Sequence, residues 1–72
     1  MDFVKVLRAL LVEERQHTPE NADRLIKSYP NVVTNGIMAG NHSLRATAMA
    51  LEMVDEKETA GHRPGDSQMG QA

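Results

Sequence analysis

The sequence holds no cysteine and no tryptophan, and Phe3 and Tyr29 are its only aromatic residues. Without cysteine there is neither a disulfide staple nor a thiolate zinc site, so stability has to come from helix packing, a partner or self-association. The lack of cysteine also fits a reducing compartment. No stretch approaches the roughly 18 consecutive apolar residues of a membrane span. The start MDFVKVLRALLVEERQ carries Asp2 and further charges through its apolar run, unlike the basic start and unbroken apolar region of a secretion signal. The expected setting is therefore cytoplasmic, with no membrane partner. Charge of one sign is lacking as well: eight Lys and Arg stand against ten Asp and Glu, a formal net charge of −2. Phosphate binding draws on clustered cations, so nucleic acid is not expected to be the sole partner. A chain of 72 residues makes one small domain that buries only about 60% of its unfolded surface, which leaves little room for a deep catalytic cleft.

What is present is aliphatic and helical in pattern. Phe3, Val6, Leu7, Leu10 and Leu11 recur at steps of three and four, with Lys5, Arg8, Glu13 and Glu14 largely opposite, which predicts an amphipathic helix from Asp2 to about Gln16. Val4 and Val12 widen its apolar face enough for contact on two sides. At Thr18-Pro19-Glu20 a capping residue, a proline suited to the first helical position and an acid for the positive helix end mark the start of a second helix. Ala22, Leu25, Ile26 and Tyr29 face inward there, Asn21, Asp23, Arg24 and Lys27 face water, and Pro30 ends the helix at Ser28 or Tyr29.

VVTNGIM carries the Asn-Gly of a hairpin turn, but its arms are short and no other strand exists to pair with them. A short helix from about Asn31 to Ala39 is expected instead, with Val33 and Ile37 inward, Gly40 as its stop, and Gly36 either costing about 1 kcal/mol of helix propensity or permitting a close crossing. Asn41 or Ser43 then caps a last helix whose inward positions are Leu44, Ala48, Leu51 and Val54, with Thr47 at the margin. Asp55, Glu56 and Glu58 place negative charge near its C-terminus, where fraying is expected. The run TAGHRPGDSQMGQA is too polar to offset the entropy of ordering. The expectation is an all-α fold: a compact bundle of three to four short helices over residues 1–58, followed by a disordered C-terminal tail over 59–72.

No catalytic set emerges. His17, His42 and His62 fall in a linker, a turn and the tail, without the spacing of metal ligands, and Glu13 and Glu14 read as a solvated face. No enzyme activity and no cofactor are expected. AGNHSLRAT resembles the turn and recognition-helix start of helix-turn-helix regulators. Its turn is one residue longer than usual, only Arg45, Thr47 and Ser43 could reach base edges, and the helix then becomes acidic. DNA reading stands as the alternative. LIKSYP, AGN and an alanine-rich helix ending LEM also resemble, as a packing analogy, small three-helix ubiquitin-binding modules of the CUE and UBA kind.

Over its whole length, the layout from MDFVKVLRALL to MALEMVDEKE followed by a polar tail resembles the small bacteriophage-encoded transcription regulators, of the Xanthomonas phage type, that inhibit bacterial RNA polymerase. The resemblance implies a non-enzymatic protein in the bacterial host cytoplasm that docks on the large polymerase subunits, blocks initiation and in some cases antagonises termination. It transfers no individual residue. From the residues themselves, candidate contacts are Val4, Arg8, Arg15, Met49 and Met53, with Arg24, Lys27 and Tyr29 as a second patch. Arginine supplies directional pairing there and methionine adaptable surface. The wide apolar face of the first helix is compatible with a monomer or a weak dimer.

Overall fold

The computed structural model describes residues 2–62, with side chains described to residue 60. Among the described residues the fold is all-α: α1 (Phe3–Glu13), α2 (Pro19–Ser28), α3 (Pro30–Ala39), a 3-10 turn (Asn41–Ser43) and α4 (Leu44–His62). Each boundary has a local cause. The Asp2 carboxylate accepts the Lys5 N–H at the start of α1. Thr18 Oγ1 accepts the Asn21 N–H at 3.1 Å, and Pro19 occupies the first turn of α2. Gly40, at φ 109°, closes α3 in a backbone conformation that a side chain would strain.

Helix α1 ends earlier than its pattern suggested. Gln16 takes φ 61°, and around it the Arg15 and His17 N–H groups reach back to the carbonyls of Leu10 and Leu11. The last helix, in contrast, runs longer than expected. Residues 59–62, which the sequence assigned to a disordered tail, continue α4; the rest of that tail lies outside the described residues. The fraying expected from the acidic run does not occur around Asp55, which sits two turns inside the helix and is tied to α2.

Helix α4 packs against each of the other three, so it forms the spine of the bundle. The core comprises Phe3, Leu7 and Leu11 from α1, Ala22 and Leu25 from α2, Val33 from α3, and Ala48 and Leu51 from α4. Leu10, Val12, Ile26, Tyr29, Val32 and Leu44 pack against it, half-buried. Inside this cluster α3 and α4 cross closely. A Cβ at Gly36 would lie well inside contact distance of Thr47 Oγ1 and 3.0 Å from the Phe3 ring. Thr47, expected at the margin, is buried in this crossing.

The crossing also explains a misplaced residue. Because Val33 and Gly36 form the inward face of α3, Ile37 turns about 100° away from Gly36 and is 48% exposed rather than buried. Ser43 ties the turn before α4 to the end of α3. Its Oγ lies 2.7 Å from both the Gly36 and Gly40 carbonyls, sharing one hydroxyl hydrogen between them and pinning the α3–α4 turn.

Candidate functional site

Two outward faces and one polar clasp account for the residues that the sequence singled out. The clasp lies where the end of α1, the following loop and α2 meet α4. Glu52 and Asp55, three residues apart on α4, each receive an arginine from another element. The Arg15 guanidinium bonds Glu52 through Nε and a terminal nitrogen, the latter at 2.6 Å. Arg24 binds Asp55 in bidentate fashion, both bonds at 3.0 Å, and the Tyr29 hydroxyl donates to the same carboxylate at 2.9 Å.

His17 and Asn21 join the two halves. The Asn21 amide oxygen accepts from Arg24 Nε, so its Nδ2 donates to His17 Nδ1 at 2.9 Å. His17 therefore carries its hydrogen on Nε2 and donates to Glu52 at 2.5 Å. Partner charge sets the electrostatics. Hydrogen bonding from Arg15, opposed by partial desolvation and assisted by His17, holds the Glu52 carboxyl below its ordinary range. Arg24, opposed by desolvation and assisted by Tyr29, does the same for Asp55. Burial, and then the bond to Asp55, pushes the Tyr29 phenol up.

Part of the expected docking set also makes ties within the molecule. Arg15, Arg24 and Tyr29 are spent on intramolecular ties, and Lys27 pairs with Asp23 one turn away at 2.9 Å. The sequence pattern passed over Glu52, Asp55, His17 and Asn21. Their only signal is a pair of acids at i, i+3 on the last helix, and the partners of those two acids lie 26 to 37 positions away.

The remaining candidates divide between the two outward faces. Met49 and Met53, one turn apart on the side of α4 away from the core, are 49% and 68% exposed. Val4, 36% exposed, and Arg8 lie one turn apart on the outer side of α1. Beside them Lys5, Arg8, Ala9, Val12, Glu13 and Pro19 line a shallow groove of about 340 Å³. Ile37 and Met38 add exposed apolar surface on α3.

The three residues considered for base reading do not form a reading edge. Thr47 is buried, Ser43 is turned to backbone carbonyls, and Arg45 is exposed but paired with Glu14 at 3.1 Å. Among the described residues no group of three or more His, Cys, Asp or Glu side chains is arranged to hold a metal ion, and no helix is long and apolar enough to cross a membrane. No family model, curated protein or solved structure matches the chain.

Proposed function

We propose that this protein is a non-enzymatic regulator that acts by docking on a larger protein, with bacterial RNA polymerase as the partner and inhibition or modulation of transcription as the outcome. One observation carries the docking part: Met49 and Met53 stand in water on one helix face, while Leu7, Leu11, Leu25 and Leu51 fill the core without them. Exposed, polarizable and shape-tolerant side chains on a rigid helix suit a protein contact. Helix α4 is held from three sides, so the face is presented with little ordering left to do on binding. The side chains best suited to acid–base chemistry, His17, Glu52 and Asp55, are engaged with one another's partners in the clasp. The choice of polymerase rests on the whole-chain resemblance to phage transcription regulators.

The test is capture of purified bacterial RNA polymerase by the immobilised full chain, followed by a promoter-dependent transcription assay. Capture and reduced initiation are expected. Replacing both Met49 and Met53 by lysine is expected to weaken capture at least about tenfold, a loss of about 1.4 kcal/mol, while thermal stability stays within about 0.5 kcal/mol because both side chains are exposed. Absence of capture at micromolar concentration and low salt would overturn the polymerase assignment.

A further inference from the structure

We propose that the groove on the outer side of α1 receives the outer face of α4 from a second copy of the chain, giving weak head-to-tail association. The two faces match in chemistry. The groove has an apolar floor of Ala9, Val12 and Pro19, with Lys5 and Arg8 toward one end and Glu13 toward the other. The α4 face presents Met49 and Met53 with exposed Glu56 and Lys57 in the next turn. Each face thus offers apolar surface flanked by charges of both signs.

The distribution of ion pairs gives the match its weight. Arg15, Arg24, Lys27 and Arg45 are all paired within the molecule. Among the described residues, Lys5, Arg8 and Lys57 have no ion pair, and neither do Glu13 and Glu56. All three of these unpaired cations lie on the two faces, as do Glu13 and Glu56, while the other unpaired acids among the described residues, Asp2 and Glu20, stand at the N-terminal ends of α1 and α2. Seating Met53 over Val12 sets Glu56 toward Lys5 and Arg8 and leaves Lys57 to meet Glu13. Both faces point away from the core on different helices, so they cannot meet within one molecule. The contact is therefore heterologous: each copy uses its groove for one neighbour and its α4 face for another, and the assembly stays open-ended unless a ring closes.

This inference does not depend on the identity of the docking partner. Sedimentation equilibrium of the full chain, from about 20 μM to about 1 mM at low salt, should show a mass rising with concentration above the 7.9 kDa monomer. Dilution-dependent amide shifts should centre on Lys5, Arg8 and Val12 and on Met49, Met53 and Glu56. Arg8→Glu and Glu56→Arg should each reduce association about three- to tenfold, since each replaces an attraction by a repulsion. Both side chains are exposed, so folding should be retained.

An equimolar mixture of the two variants restores opposite charge at both contacts and should recover the wild-type association. A mass that stays at the monomer value up to about 1 mM would overturn the proposal. So would association indifferent to both substitutions, or a mixture that fails to recover it.

Discussion

At the scale of single residues, Gly36 is the position where space outweighs propensity. Alanine there would gain about 1 kcal/mol in helix preference, but its Cβ would drive into Thr47 and crowd the Phe3 ring. Overpacking of this kind costs about 1–3 kcal/mol, and Thr47 cannot swing away without disturbing the Ser43 turn beside it. Gly36→Ala is therefore expected to lower stability by up to about 2 kcal/mol instead of raising it by about 1, read from the urea midpoint at unchanged slope. The same contact marks how far the sequence could be read. Thr18, Pro19 and Gly40 announce helix ends through chemistry confined to a few neighbours, and the ends fall there. The orientation of Ile37 is a non-local matter: the approach of Gly36 to Thr47 selects the inward face of α3, and periodicity over ten residues carries no trace of it.

At the scale of elements, the clasp joins α1, α2 and α4 through Glu52 and Asp55. A carboxyl held below its ordinary value in the fold stabilises the protein above the unfolded pKa, near about 4, and that contribution is lost as pH falls through the folded value. Both carboxyls are lowered by their arginine partners, so thermal stability is expected to be flat from neutral pH down to about pH 5 and to fall steeply below about pH 4. Asp55→Asn should cost about 1 kcal/mol at neutral pH and make the acid limb shallower, as thermal melts across a pH series would show. These ties were illegible in the sequence. Arg15, Arg24 and Tyr29 look like free contact residues until the fold supplies their partners, whereas the i, i+4 stripe of Met49 and Met53 is visible directly and only its outward orientation had to come from packing.

At the scale of the whole molecule, a small core leaves little margin. Stability of about 0.05–0.15 kcal/mol per residue amounts to only several kcal/mol for such a domain, and removing a buried leucine side chain costs about 2–5 kcal/mol. Leu51 is fully buried on the spine that every other helix packs against. Leu51→Ala is thus expected to consume most of that margin, and circular dichroism should show substantial loss of helix at about 37 °C. The same economy has a chemical consequence at the surface. Met38, Met49 and Met53 stand outside the core, so an oxidant reaches their sulfur atoms while the fold is intact. Conversion to the sulfoxide would turn an apolar face polar and chiral, and reductive repair would return it, making the proposed docking surface sensitive to oxidative stress without placing the fold itself at risk.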